Sequence, residues 1–292
     1  MRADAEEVIA IQVREDLIGV GQGYLDFGPT DDDELRELLL SAAAGFDPVV
    51  DRGASAVAGA DREAARLVTR EVTLPVETGA VEGVLLVPAG ATELVIVAHD
   101  SSRERFSVRS RYLAQTLADA GFATVLVDLL TREEESRGNR FLALDLLTDR
   151  LTQVTRLTRK SFERVSYVGE GVAAAVVLNA TVAPGAEEIH AIVALGGRPD
   201  LAPRLGAVQS PVLFVVGEHD SAVLNLTTAA LGRLSCPHRM LTVAGSGHRF
   251  REPGALKEVA ADLLAWLREP DPRSRTDEAV GTPFGARRQE DG

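Results

Sequence analysis

The chain has 292 residues, of which 45% are hydrophobic, and its 44 acidic residues outnumber its 31 basic residues to give a formal net charge of −13. That length suits one large domain or two small ones with a sizeable core, and the apolar content excludes disorder for the bulk of the chain. Since an acidic chain repels phosphate backbones and anionic lipid headgroups, neither nucleic acid nor a membrane surface is expected as a partner.

The amino-terminal residues and the cysteine content predict a location in the reducing cytoplasm. Met1 to Glu7 carries acid where a secretory signal carries base, and no long apolar run follows it. The longest weakly polar stretch, 172–183, is shorter than the roughly 20 apolar residues of a membrane span. Cys236 has no second cysteine to pair with, which excludes an internal disulfide and a cysteine-based metal site.

Residues 1–65 are predicted to form an amino-terminal arm and linker. Val8 to Ile11 is a short apolar run, and Thr30 is a candidate cap for a helix whose leucines lie at helical spacing up to Leu40. Residues 42–65 are rich in Ala, Gly and Asp, as linkers are. The glycines at 19–23 do not match the dinucleotide fingerprint, so no phosphate cradle is predicted there.

Residues 66–268 are predicted to form a mostly parallel, doubly wound sheet with helices on both faces. Apolar runs predict strands at 67–74, 81–87, 94–98, 123–127, 165–168, 191–195, 212–216 and 240–243. Amphipathic segments predict helices at 109–120, 142–157, 172–179, 223–234 and 256–267. The turn at 77–79 joins the first two strands as a hairpin, and the other strands alternate with helices. Residues 269–292, rich in Pro, Gly and charge, are predicted to be disordered.

Polar residues at the carboxyl ends of four predicted strands are the candidates for chemistry, because ligands of open parallel sheets bind there. These ends are His99-Asp100-Ser101-Ser102, 169–173, 217–220 and 245–248. A family resemblance is carried by the strand that ends at His99, the run Asp128-Leu129-Leu130-Thr131 with acidic residues at 133–135, the turn at 196–200, Asp220 in a G-x-x-D setting, and His248. On these residues, the segment 67–268 resembles the dienelactone-hydrolase-like branch of the α/β-hydrolases. The resemblance implies the α/β-hydrolase fold and a triad in the chain order nucleophile, acid, histidine, with Asp220 as the acid and His248 as the histidine.

The nucleophile of that family is absent from the matching position. The family's elbow reads G-x-S-x-G or G-x-C-x-G, whereas this chain has Gly169-Glu170-Gly171-Val172-Ala173. Gly171 fits the turn and offers no atom for attack, which excludes the usual acyl-enzyme route. A shifted register would make Glu170 the nucleophile, but it places valines at 168 and 172, where the turn needs small residues.

Other nucleophilic side chains are weaker candidates. Ser101, Ser102 and Ser246 lie near strand ends and are expected to be loop or turn residues. Cys236 precedes a proline at a predicted strand start, on the edge of the sheet opposite the site.

The remaining residues of the site still permit catalysis. Backbone N–H groups of Val172 and of Ser101 or Asp100 are predicted to form an oxyanion hole. His248, oriented by Asp220, is predicted to act as a general base on a water or a substrate hydroxyl that takes the space above Gly171. The alternative, weighed evenly, is a protein that has lost turnover and binds a ligand or a protein partner.

Three further side chains are candidates for contacts to a substrate: Glu170, Arg198 and His99. Arg198 follows a predicted strand, and either an anion contact or a salt bridge to Asp200 or Asp220 fits that position. The other histidines, at 190, 219 and 238, alternate between opposite ends of the sheet. No metal site is therefore predicted, and no cofactor is implied.

The arm carries a second resemblance, over residues 8–40. This segment resembles the tail of the phosphoribosyltransferase domain found fused ahead of dienelactone-hydrolase-like domains. The matching residues are Val20-Gly21, Tyr24, Asp26-Phe27, Asp33-Glu34 and Leu38-Leu39. The acidic strand end and threonine-glycine loop that bind phosphoribosyl pyrophosphate are missing, so no transferase activity is expected. The arm is predicted to pack on the main domain or on a second copy of the chain, as in a homodimer.

The sequence thus predicts an α/β-hydrolase-fold protein whose partner is a small-molecule substrate or ligand. The expected substrate is a small carbonyl compound such as a lactone, an ester or an enolisable compound. Hydrolysis, proton transfer, cyclisation and elimination all remain open as reaction types.

Overall fold

The computed structural model describes residues 67–136 and 144–269, which build one mixed eight-stranded sheet. The predicted arm at 1–65 lies outside the described residues, and so does the predicted disordered tail at 269–292 apart from Glu269. None of the helices described is long and apolar enough to cross a membrane.

The strands lie in the order β1-β2-β4-β3-β5-β6-β7-β8 across the sheet. The β1–β2 and β2–β4 pairs are antiparallel, and every pair from β4 to β8 is parallel. The prediction of a hairpin leading into a doubly wound parallel sheet is confirmed. The strands are β1 Leu67–Val76, β2 Gly79–Pro88, β3 Glu93–His99, β4 Ala123–Asp128, β5 Arg164–Glu170, β6 Ile192–Leu195, β7 Val212–Gly217 and β8 His238–Val243.

Helices cover both faces of the sheet. The helices are α1 Val108–Asp119, α2 Arg132–Ser136, α3 Leu144–Arg159, α4 Ala173–Ala180, α5 Ser221–Leu231 and α6 Ala255–Leu267. Leucines of α1 and α6 pack in one apolar cluster, and leucines of α3 with all the apolar residues of α4 pack in the other. Short 3₁₀ turns follow β3 and β6.

The central strand β3 shows why valine-rich runs form this sheet. Leu94, Ile96 and Ala98 belong to one apolar cluster, whereas Val95 and Val97 belong to the other. Alternate side chains therefore fill the core on both faces, which requires a continuous apolar strand. The strand ends, where this pattern stops, carry the polar residues.

The predicted helix at 223–234 lies slightly earlier in the structure, at Ser221–Leu231. The side chain of Asp220 accepts a hydrogen bond from the Val223 N–H and so fixes the start of α5. The helix ends at Gly232, which is its carboxyl cap. The sequence pattern did not indicate the carboxyl cap at Gly232, because the apolar spacing of the helix continues to Leu234.

A buried arginine ties the β1–β2 turn to the loop after β4. Arg150, 2% exposed, donates to Thr78 Oγ1, to the Leu129 carbonyl and to both carboxylate oxygens of Glu134 at 2.7–2.9 Å. These hydrogen bonds lower the pKa of Glu134 to about 2. Arg150 and its partners therefore connect the β1–β2 turn with the loop after β4, which no strand pairing joins directly.

Replacing Arg150 with methionine should lower the free energy of unfolding by about 1–3 kcal/mol, because it leaves the Leu129 carbonyl and the partly buried Glu134 carboxylate without their donor. A carboxylate whose pKa is depressed on folding stabilises the fold above its unfolded pKa, and this contribution is lost as the pH falls from about 4.5 through about 2. Urea unfolding between pH 2 and 7 should show this loss in the wild type and a flatter curve in Arg150→Met. Equal slopes for the two proteins would contradict the assignment.

Candidate active site

The residues that follow β3, β5, β6, β7 and β8 meet at one edge of the sheet, because the carboxyl ends of parallel strands share an edge. They include Asp100, Gly171, Gly196, Asp220 and His248. The sequence separates these residues by up to 148 positions, and the strand order β3-β5-β6-β7-β8 places them in a row.

His248 and Asp220 form a hydrogen-bonded pair. His248 Nδ1 lies 2.6 Å from Asp220 Oδ2, and the imidazole is 57% exposed. The other carboxylate oxygen, Oδ1, accepts the Val223 N–H at 3.2 Å, so the helix start holds the carboxylate in place. With Nδ1 bound to the carboxylate, the second ring nitrogen is the one available to accept a proton from a ligand or water.

The loop that carries His248 is fixed by its flanking residues. Phe250 is buried and has a φ of +50°, a conformation uncommon for a bulky side chain. Glu252 accepts hydrogen bonds from Ser246 Oγ at 2.6 Å and from the Gly247 N–H at 3.0 Å. Ser246, a candidate hydroxyl in the sequence, therefore serves to hold this loop.

The turn between β5 and α4 has Gly171 at its apex. Gly171 has a φ of +61°, and Glu170 before it is the last residue of β5. Gly171, and not Glu170, is therefore the residue that the turn holds in the left-handed conformation. The Arg198 N–H donates to the Gly171 carbonyl at 3.0 Å, so the loop after β6 lies directly against the turn.

Two consecutive glycines in that loop bring the histidine and the turn together. A side-chain carbon at residue 197 would lie 2.1 Å from the Gly171 carbonyl oxygen, so only glycine fits there. A side-chain carbon at residue 196 would lie 3.9 Å from Nδ1 and Cε1 of His248. In this loop, Gly197 therefore lies against Gly171, and Gly196 lies next to the His248 imidazole.

The carboxylate of Asp100 occupies the space beside Gly171. Asp100 Oδ2 accepts a hydrogen bond from the Val172 N–H at 3.2 Å. A side-chain carbon at residue 171 would lie 3.2 Å from Oδ1 and 3.4 Å from Oδ2 of Asp100. The backbone N–H predicted as an oxyanion donor therefore already binds an anionic oxygen.

The prediction considered only the backbone N–H of Asp100 and missed its side chain. The available signal was an acidic residue directly after a buried strand, at the ligand edge of the sheet. Which neighbouring strand its carboxylate would reach depended on β3 lying next to β5, 72 positions away along the chain.

Glu170 is buried below the turn and forms an ion pair with Arg109. The Glu170 side chain is 6% exposed, and Arg109 Nη2 donates to its Oε2. Burial raises the pKa of Glu170 to about 7, and the nearby Arg109 opposes that rise. Near neutral pH the Glu170 carboxyl group is therefore present in both its charged and its neutral form.

Glu170 should make the free energy of unfolding depend on pH between about 4.5 and 7. Its pKa is higher in the folded than in the unfolded chain, so its contribution is complete below about 4.5 and is lost as the pH rises through about 7. One proton gives a slope of at most about 1.4 kcal/mol per pH unit. Urea unfolding of Glu170→Gln should lack this slope, and an unchanged slope would refute the shift.

His99, predicted to contact a substrate, is 1% exposed and lies beneath α1. Its Nε2 is 3.0 Å from Ser110 Oγ, and its Nδ1 is 3.6 Å from Asp128 Oδ1. Burial lowers the pKa of His99 to about 3, so the ring is neutral. This serine–histidine–aspartate arrangement is closed to solvent at all three residues, which excludes a substrate from it.

The other candidate residues either pair with a neighbouring side chain or are buried. Arg198 donates two hydrogen bonds to Asp200, at 2.8 and 2.7 Å. Of the two predicted roles, an anion contact and a salt bridge, the structure therefore has the salt bridge to Asp200. Ser102 donates to Glu135, and the Ser101 hydroxyl is buried. Cys236 is buried, and burial raises the pKa of its thiol to about 11. In the described ranges no three acidic, histidine or cysteine residues are grouped as metal ligands.

Known proteins resemble the chain at more than 30% sequence identity. A provisionally named phosphoribosyl transferase of Mycobacterium tuberculosis strain H37Rv is 37% identical over 270 residues, which cover 90% of this chain and 59% of that protein. The dienelactone hydrolase of Anabaena variabilis is 36% identical, with a TM-score of 0.63 over 69% of this chain and 97% of that structure. No protein-family model matches the chain.

A more distant structure shares the fold. The hydrolase of Thermoplasma acidophilum described as CIB-like is 17% identical, with a TM-score of 0.55 over 70% of this chain and 99% of its own. The match to the mycobacterial protein is longer than the described sheet region and so extends into the amino-terminal segment. This agrees with the resemblance of residues 8–40 to part of a phosphoribosyltransferase. The chain spans 59% of the length of that protein.

Proposed function

The chain belongs to the dienelactone-hydrolase-like α/β-hydrolases, and on that premise we propose that it acts on a small carbonyl compound without a serine or cysteine nucleophile. His248 is the general base and Asp220 orients it. The compound is a lactone, an ester or an enolisable carbonyl compound.

The observation that carries this proposal is the 2.6 Å contact between His248 Nδ1 and Asp220 Oδ2. The contact lies at the edge of the sheet that also carries the turn with Gly171, a residue without a side chain. The carboxylate selects the tautomer with a proton on Nδ1 and stabilises the imidazolium that forms when Nε2 takes a proton. An exposed imidazole of this kind is suited to proton transfer to and from a bound molecule.

Hydrolysis would proceed in two proton transfers. A water above Gly171 gives a proton to His248 Nε2 while its oxygen attacks the carbonyl carbon of the substrate. The oxyanion competes with Asp100 Oδ2 for the Val172 N–H, and the imidazolium then protonates the leaving oxygen. This sequence uses side chains, one backbone amide and water.

A binding role without turnover is the second candidate, and the position of Asp100 favours it. A carboxylate already accepts the Val172 N–H, so an oxyanion must displace a negative charge to reach that donor. A protein of this kind would bind its ligand with the same affinity whether or not His248 can accept a proton.

Turnover on a panel of small lactones and activated aryl esters separates the two candidates. The wild type is expected to hydrolyse at least one compound faster than His248→Ala by about two to four orders of magnitude. His238→Ala is a matched control, because His238 lies on the edge strand β8 and contacts the Cys236 carbonyl. Equal turnover in the wild type and in folded His248→Ala protein would contradict the proposal that His248 is the general base.

A further inference from the structure

Two large apolar side chains are exposed side by side on α1. Among the described residues, Val108 is 86% exposed and Tyr112 is 40% exposed. They lie four positions apart on one helix and are therefore neighbours on the same face. Exposed apolar residues that are scattered singly need no explanation, whereas adjoining ones are typical of a contact surface.

Exposed arginines flank these two side chains. The Arg111 guanidinium lies 5.5 Å from the centre of the Phe106 ring, and the Arg103 carbonyl accepts the Phe106 N–H at 3.1 Å. Within the described part of the chain, no carboxylate forms an ion pair with Arg103 or Arg111, whereas Arg105 and Arg109 pair with buried carboxylates. The surface, called here the α1 patch, consists of Arg103, Phe106, Val108, Arg111 and Tyr112.

The α1 patch is thus apolar at its centre and positively charged at its margin, in a chain whose formal net charge is −13. Glu104, the acidic residue within this stretch, faces Arg109 at 3.9 Å. An occupant with complementary chemistry has closely spaced apolar side chains next to several acidic ones.

From these observations we propose that residues 30–40 of the same chain pack on the α1 patch. This segment reads TDDDELRELLL, with five acidic residues, one arginine and four leucines. In the helix predicted to follow Thr30, Leu35 and Leu39 share one face, with the same spacing as Val108 and Tyr112. The leucines cover the apolar centre of the patch, and the acidic side chains meet its arginines.

The place where the described chain begins allows this contact. Leu67, at the start of β1, packs against the apolar cluster that contains Leu113 of α1, so the preceding chain enters on the face of the sheet that α1 covers. From Leu67 to the α1 patch the distance is roughly 30 Å, given the strand length and three strand spacings. Residues 41–66 span up to about 85 Å when extended, which is more than enough.

Two arguments favour the same chain over a second copy as the source of the occupant. A segment tethered through a linker of this length has an effective concentration of about 1 mM, far above that of a second copy in micromolar protein. A symmetric contact between two α1 patches would place Arg103 and Arg111 of both copies against each other, and like charges repel.

The test is photo-crosslinking in the full chain, with p-benzoylphenylalanine in place of Tyr112. Equal amounts of ¹⁴N-labelled and ¹⁵N-labelled protein are mixed before irradiation, and crosslinked peptides are identified by mass spectrometry. The expected product joins residue 112 to a peptide from residues 30–40, with both peptides carrying the same nitrogen isotope. Such a product can only form within one chain.

The matched control carries the same probe at Asn225, an exposed position on α5. Ala230 of α5 belongs to the apolar cluster on the other face of the sheet from α1. Irradiation of this variant should give no crosslink to residues 30–40.

Two changes to the α1 patch should weaken the crosslink from residue 112. Val108→Asp should lower its yield by up to about tenfold, the equilibrium effect of burying one valine side chain. Since α1 has no acidic residue in its first turn, aspartate there favours the helix, and circular dichroism should show an intact fold. Arg103→Glu with Arg111→Glu should lower the yield at low salt, and 1 M NaCl should lower it in the chain with both arginines.

Three results would overturn the inference: crosslinks that join the two isotopes, crosslinks to parts of the chain other than 30–40, and a yield that Val108→Asp leaves unchanged. The first would identify a second copy as the occupant. None of these results bears on the proposed function, because no residue of the α1 patch belongs to the His248–Asp220 site.

Discussion

Replacing Asp220 with asparagine should lower turnover on the responsive lactone or ester by a large part of the two to four orders of magnitude expected for His248→Ala. An asparagine amide can present an N–H to His248 Nδ1, which favours the tautomer with its proton on the wrong nitrogen. Nε2 is then a donor and cannot accept a proton from water. The measurement is kcat and KM for each variant, and the loss is expected in kcat.

The second role of Asp220 makes asparagine the informative substitution. Asp220 Oδ1 caps α5 through the Val223 N–H, and asparagine is as good a cap as aspartate. Asp220→Asn should therefore keep its thermal stability, whereas Asp220→Ala should lose about 1 kcal/mol as well as turnover. A wild-type kcat in folded Asp220→Asn would show that the 2.6 Å contact has no part in catalysis.

Much of the fold could be predicted because it depends on local patterns. Valine-rich runs separated by amphipathic segments predict a parallel sheet with both faces covered, and the structure has this sheet. The Asp220 and His248 positions followed from the family resemblance. Their contact follows from neighbouring strands, since β7 and β8 pair in parallel and both residues lie in loops after these strands.

The features that could not be predicted depend on contacts between distant segments. The Asp100 side chain reaches Val172 because β3 pairs with β5, while β4 lies on the other side of β3. Glu170 was a candidate for substrate contact, and its burial against Arg109 follows from the packing of α1 over the strand ends. A pattern in one segment contains no information about such partners.

His99 shows the same limit. A histidine at the ligand edge of a sheet is a candidate for binding, and position at that edge alone does not separate His99, a predicted substrate contact, from His248, the predicted general base. Their exposures decide between them, at 1% for His99 and 57% for the His248 side chain. The start of α1 covers the first, whereas the loop after β8 leaves the second open.

Introducing a serine at Gly171 should create an acyl-enzyme, and this acyl-enzyme should form faster when Asp100 is also removed. In Gly171→Ser alone, the new side chain lies against the Asp100 carboxylate and the Val172 N–H remains occupied. Adding Asp100→Ala frees that donor, and one oxyanion donor contributes about 10²–10³-fold in rate. Stopped-flow assays with 4-nitrophenyl acetate should therefore show a burst in the double variant that is faster by about this factor.

The matched control is Gly171→Ala with Asp100→Ala, which has the same backbone change and no hydroxyl. It should give no burst, so that a burst in the serine variant belongs to the new oxygen and not to the vacated space. Serine at a φ of +61° is strained, and this strain is of order 1–3 kcal/mol, which circular dichroism and thermal unfolding of both double variants will detect equally. If the double serine variant folds and shows no burst, the turn at residue 171 does not direct a side chain toward His248, and the prediction that Gly171 takes the place of a nucleophile is wrong.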